Sequence, residues 1–164
     1  MAEKDGKMNI LQQQYSLVKS SRAVMLSFIK DGVGDDFVTP VVAFNDKSII
    51  YLLTHVADVY KHWLANFGMA MFLPYTDERK VTGMDEVMAL YAETDELTNS
   101  FIMRFNADID ELITGKIASG KIVTATALTV FTHVITHEFH HKGQIMSMCR
   151  LLGHVPPDTD IIRT

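Results

Sequence analysis

The sequence predicts an all-α protein, an up-and-down four-helix bundle forming a single domain over residues 1–164. Three observations predict it. Four long segments carry apolar residues at helical spacing. Glycine, proline and polar clusters separate them, so each segment has its own stop. No stretch shows a convincing strand alternation. At 164 residues the chain is long enough to bury one sizeable core.

The first helix is predicted over residues 9–31, where Leu11, Tyr15, Val18 and Met25 recur at helical spacing and Gly32 and Gly34 mark the end. Residues 34–46 hold Thr39-Pro40 and the apolar run Val41, Val42, Ala43, Phe44. They read as an ordered connection, with a short strand as the alternative. The second helix is predicted over residues 46–67, with Asn45, Asp46 or Ser48 as N-cap and Gly68 just past its end. Residues 69–83 read as a loop whose charged run, 77–80, is solvated. The third helix is predicted to begin near residues 82–85, where Thr82 and Asp85 have capping-box spacing with Asp in place of Glu. Its seam is Val87, Leu90, Tyr91, Thr94, Leu97, Phe101 and Phe105, and Glu86, Glu93, Asp95 and Glu96 are expected to face water. Residues 106–121 are expected to be irregular, broken by Gly115 and Gly120. The fourth helix is predicted over residues 124–152, ending at Gly153, and Pro156-Pro157 keep the tail extended. This last helix is apolar nearly all round, with Phe131, Ile135 and Phe139 opposite its histidines. That pattern predicts a homodimer burying the back surface.

Composition excludes several function classes. The net charge is −5 and no basic run exists, so binding to nucleic acid through phosphates is not expected. No apolar run approaches a membrane span, and the first ten residues lack the apolar core of a signal peptide. The single cysteine, Cys149, rules out an internal disulfide and fits a reducing compartment. The expected location is the cytoplasm.

The chemistry concentrates in the fourth helix. His133, His137, His140 and His141 are four of the seven histidines. Residues i and i+4 lie about 40° apart on a helix, so His133/His137 and His137/His141 are both same-face pairs. An apolar stripe thus turns polar in its middle, which costs stability unless the imidazoles find partners. A divalent metal would satisfy several at once. The second helix carries His55 and His62. These are seven residues apart, about 10.5 Å along the axis, so at most one can join a shared ion. Bundles build metal sites between facing helices, and His55 with two histidines of the fourth helix gives three neutral nitrogen ligands and an open position. Cys149, about 12 Å beyond His141 along the helix, should stay outside. His137-Glu138-Phe139-His140-His141 also fits H-E-x-x-H, the zinc-protease helix in which the glutamate is general base. The rest of that pattern is missing: no Glu follows Glu138, and Gln144 and Ser147 stand where the extended form wants Gly and His. A further ligand would lie upstream, or be one of the weak candidates His154, Asp158 and Asp160. Glu138 is the candidate catalytic base, with orientation of a ligand histidine or a surface pair with Lys142 as alternatives.

Three stretches carry a more specific resemblance: SIIYLLTHVADVYKHWL in the second helix, HVITHEFHHKGQI in the fourth, and RLLGHVPPDTDII at the end. Together they resemble the DinB superfamily. The resemblance implies an up-and-down bundle, often homodimeric, that binds a divalent metal, most often zinc or nickel, through three histidines. Transferred to this sequence these are His55, His137 and His141, which selects 137/141 over 133/137 and leaves His62 and His133 outside. It also implies a metal-dependent enzyme acting on a small-molecule substrate. Related branches transfer groups with a low-molecular-weight thiol; hydrolysis and a non-enzymatic stress role are the alternatives. A thiol cofactor's carboxylates would need cations at the pocket mouth, and Lys142 is the nearby cation in the fourth helix.

Overall fold

The computed structural model describes residues 9–117 and 119–163. Residues 1–8, on which the absence of a leader was read, lie outside the described residues. The described chain is mostly helical, with four long helices and one two-stranded sheet. Helix α1 spans Ile10–Phe28. Asn9 caps it reciprocally with Gln12: each side chain takes the other's backbone N–H. The helix then widens into a π-helical turn, Ile29–Val33, that ends at Gly34. The apolar run after Pro40 forms a short 3-10 turn, Val42–Phe44, with one isolated bridge between Val41 and Lys47, so neither a strand nor a plain connection describes it fully.

Helix α2 spans Ile49–Tyr60 and is capped by the Ser48 side chain. It continues without a break as a π-helix, Lys61–Gly68. Helix α3 spans Met84–Phe105. Its N-cap is Gly83, which makes no side-chain cap bond, so the Thr82/Asp85 spacing is not used. Helix α4 spans Ala127–Leu151. Thr126 caps its start, and Gly153, at φ +92°, ends it while its amide and that of His154 return to the Arg150 and Cys149 carbonyls.

The segment expected to be irregular is the main correction. Strands β1 (Leu112–Lys116) and β2 (Ile122–Thr126) form an antiparallel hairpin in which Thr114 faces Thr124. The fourth helix therefore starts three residues later than the apolar pattern suggests, because residues 124–126 pair as strand. Gly115 does not break the segment. It lets β1 lie against Phe67, whose ring would sit 2.9 Å from a Cβ there.

Helix α2 packs on α3 and α4, and α1 also meets α3 and α4. Tyr15, Leu53, Tyr60, Leu64, Phe101, Phe105 and Phe131 are fully buried between them. Two expectations fail here. Phe131 is 0 % exposed within the single chain, so the back surface of α4 is smaller than its periodicity implies; only Ile135 and Phe139 remain half-buried there. Asp95 is not a solvated charge, because it accepts hydrogen bonds from Arg22 and Tyr15. No helix among the described residues is long and apolar enough to cross a membrane.

Candidate metal centre

The α2–α4 contact brings three histidines to one point. His55 comes from the middle of α2, and His137 and His141 from successive turns of α4. Their ring centroids lie 5.4 Å (His55 to His137), 4.9 Å (His55 to His141) and 4.4 Å (His137 to His141) apart. One nitrogen from each lies within 4.8 Å of the others. All three are half-buried, so the cluster opens to the surface. Tyr51, one turn before His55, stacks nearly parallel to it at 6.5 Å.

The donors fit a divalent ion. Bonds of about 2.0–2.1 Å would place tetrahedral nitrogens roughly 3.3 Å apart, inside the observed span. His141 Nδ1 donates to Gln144 Oε1 at 2.6 Å, which fixes the tautomer and leaves the Nε2 lone pair free, as outer-sphere partners of ligand histidines do. His137 Nδ1 is the one buried side-chain polar atom without a hydrogen-bond partner among the described residues. Such an atom costs about 1–3 kcal/mol unless a group outside the polypeptide satisfies it.

Electrostatics keep the cluster neutral. Burial, then the neighbouring imidazoles of His141, His55, His133 and His140, pull His137 down to about 4. Burial also lowers His55, against Asp58 and Glu78. It lowers His141 too, against the Gln144 hydrogen bond. At neutral pH all three nitrogens therefore carry lone pairs. The unfolded chain holds these histidines near the ordinary value of about 6.5. Between that value and about 4 it binds more protons than the folded chain, so stability rises with pH across this window. In metal-free buffer the urea midpoint should fall as pH drops from about 6.5 towards 4, and His137→Gln should flatten that fall. A variant with an unchanged slope would show that His137 does not contribute.

The other sequence candidates lie elsewhere. His133 is exposed, and its ring contacts Trp63 and His137 without joining the three-nitrogen cluster. His62 Nδ1 pairs with the Tyr75 hydroxyl at 2.5 Å. His140 is exposed beside His141. His154 pairs with Asp36, and Asp158 caps the Asp160 amide. Cys149 is buried, which pushes its thiol up to about 11.

Glu138 is not the surface group that a pair with Lys142 would need. It is 3 % exposed and makes no surface pair with Lys142. Arg22 donates to both its oxygens, through Nε at 2.7 Å and Nη2 at 2.9 Å, and the Tyr60 hydroxyl donates to Oε2 at 2.5 Å. Arg22 Nη1 reaches on to Asp95, and the guanidinium lies 4.7 Å from the Tyr91 ring centre. The carboxylate beside His137 is thus committed to a buried network joining all four helices. Arg22 was legible in part: it falls on the same face as Tyr15, Val18 and Met25, where a charge needs a buried partner. Lys142 is also buried; its Nζ bonds Ser21 Oγ and the Thr159 carbonyl, tying the tail to α1 and α4. It supplies no cation to the cluster.

A mostly helical chain carrying three convergent neutral histidines is a scaffold compatible with a divalent metal. The DinB family model matches residues 11–164, and the chain belongs to the DinB family. No curated protein matches it.

Proposed function

We propose that this chain is a divalent-metal-dependent enzyme built on an up-and-down four-helix bundle, with His55, His137 and His141 as the ligands. The convergence of these three neutral imidazoles at one surface point carries the reading. Zinc or nickel is the expected ion, since both accept imidazole nitrogen. Such an ion supplies Lewis acidity, lowering the pKa of a nucleophile near it. The protein's own part is to keep the imidazoles deprotonated by burial, to orient His141 through Gln144, and to leave one side open for a small substrate.

Thiol-dependent transfer is the first reading of the reaction, on family resemblance. Hydrolysis is the second, and one observation favours it: Lys142 is bound to Ser21 and Thr159 and cannot receive a thiol cofactor's carboxylates. The proposed assembly is a homodimer, with exposed Leu17 and Ile161 beside half-buried Ile135 and Phe139 as its surface. Elemental analysis of protein purified without an affinity tag should find about one ion per chain, as one three-ligand site allows. A thiol-conjugation assay with that metal retained then separates the two chemistries. A chain that takes up neither zinc nor nickel when these are supplied would overturn the reading.

A further inference from the structure

We propose that a strip of rings running from the histidine cluster binds a flat aromatic group of the substrate, an inference that rests on the metal-centre reading. From His137 the rings of His133, Trp63, His62 and Tyr75 follow one another, with successive centroids 5.7, 4.9, 5.0 and 6.1 Å apart. They come from three parts of the chain: α4, the π-helical extension of α2, and the loop after it. His133 and Tyr75 are exposed, and Trp63 and His62 are half-buried. The Trp63 contacts with His133 and His62 are edge-to-face, with interplanar angles of 63° and 88°. The exposed members, His133 and Tyr75, offer ring surface to an arriving ring.

The strip is held in place. The Asn66 amide bonds both the N–H and the carbonyl of Leu73, and Asp58 accepts from the Thr76 N–H and hydroxyl. Between the π-helix and these anchors, Ala70 and Phe72 sit at φ +52° and +55°, a region that side-chain-bearing residues rarely adopt. Such conformations persist where surrounding contacts over-determine them, and they cluster at ligand sites. The same loop leaves Met71, Phe72 and Tyr75 exposed. Apolar side chains presented by an anchored loop, continuous with a reactive cluster, mark a binding surface.

At the Tyr75 end, Asp58 and Lys61 are 3.7 Å apart and both engage Thr76. The strip itself contains no Lys, Arg, Asp or Glu.

Trp63 is the chain's only tryptophan, so its fluorescence reports on the strip directly. The full chain loaded with zinc is titrated with 4-nitrobenzyl alcohol, a neutral ring that quenches indole on contact. Saturable quenching is expected, and Tyr75→Ala should raise the apparent Kd about threefold to tenfold, the range of one aromatic contact. Cyclohexylmethanol should not compete. Quenching that stays linear as for a free indole, an unchanged Kd in Tyr75→Ala, or competition by cyclohexylmethanol would each overturn the proposal. Zinc content is measured on the same sample. Uptake without saturable quenching overturns the strip alone, whereas no uptake of zinc, nor of nickel in a parallel sample, overturns the metal centre and leaves the strip to stand or fall on the quenching.

Discussion

Replacing His137 by alanine is expected to lower zinc affinity by more than about a hundredfold. Loss of a group that merely supports a ligand already costs ten- to a hundredfold, and His137 is the shared member of the cluster, close to both His55 and His141. The effect should depend on metal. Its Nδ1 has no hydrogen bond to lose, so the metal-free variant should unfold close to the parent, apart from lost imidazole packing. At zinc a hundred times its Kd, the parent should gain about 2.7 kcal/mol of stability, and the variant almost none. His133→Ala and His62→Ala change rings outside the cluster and should keep affinity within about threefold, below the effect of losing a supporting group. Calorimetric titration with zinc and urea unfolding at fixed zinc read both quantities. Equal losses in His137→Ala and His133→Ala would mean that the ion chooses the other i,i+4 pair.

Arg22→Met should destabilise the fold by about 3–5 kcal/mol, whether or not metal is present. Breaking a buried ion pair leaves its partner charged, desolvated and unpaired. Glu138 would be that partner, retaining only the Tyr60 hydroxyl as donor, and Asp95 would lose its Arg22 contact as well. The double variant Arg22→Met/Glu138→Leu removes both charges. It should recover most of the loss, because apolar replacement of a whole buried pair is often neutral or stabilising. Urea midpoints at an unchanged slope measure this. A single variant that costs less than about 1 kcal/mol, the scale of an exposed pair, would show that water reaches the guanidinium. Recovery in the double variant would also separate Glu138 from catalysis, since a fold restored without the carboxylate can be assayed for any activity that the chain displays.

The helices were legible because their causes are local. Ser48 acts through its own side chain, Gly153 ends α4 through its own φ, and an apolar stripe reports its buried face wherever a helix forms. The short β-hairpin was not legible. Its two strands pair with each other and rest on Phe67, so their stability comes from contacts that the spacing of glycines cannot report. The π-helical continuation of α2 likewise looks like ordinary helix in the sequence.

At the site the division is sharper. Helical periodicity by itself placed His133/His137 and His137/His141 as equivalent pairs and allowed either His55 or His62. The family resemblance chose among them, and the packing of α2 on α4 is what brings the chosen three together. That packing sets the azimuth at which α4 faces α2, and at that angle His141 turns toward His55 while His133 turns toward Trp63. Glu138 shows the same limit. Its place next to His137 in sequence suggested chemistry, but one residue is about 100° on a helix, and that rotation carries it into the core, where Arg22 and Tyr60 await it. Sequence by itself determined which side chains share a face of one helix. The tertiary structure decided which faces meet, because the meeting depends on the volumes and charges of residues far apart in the chain.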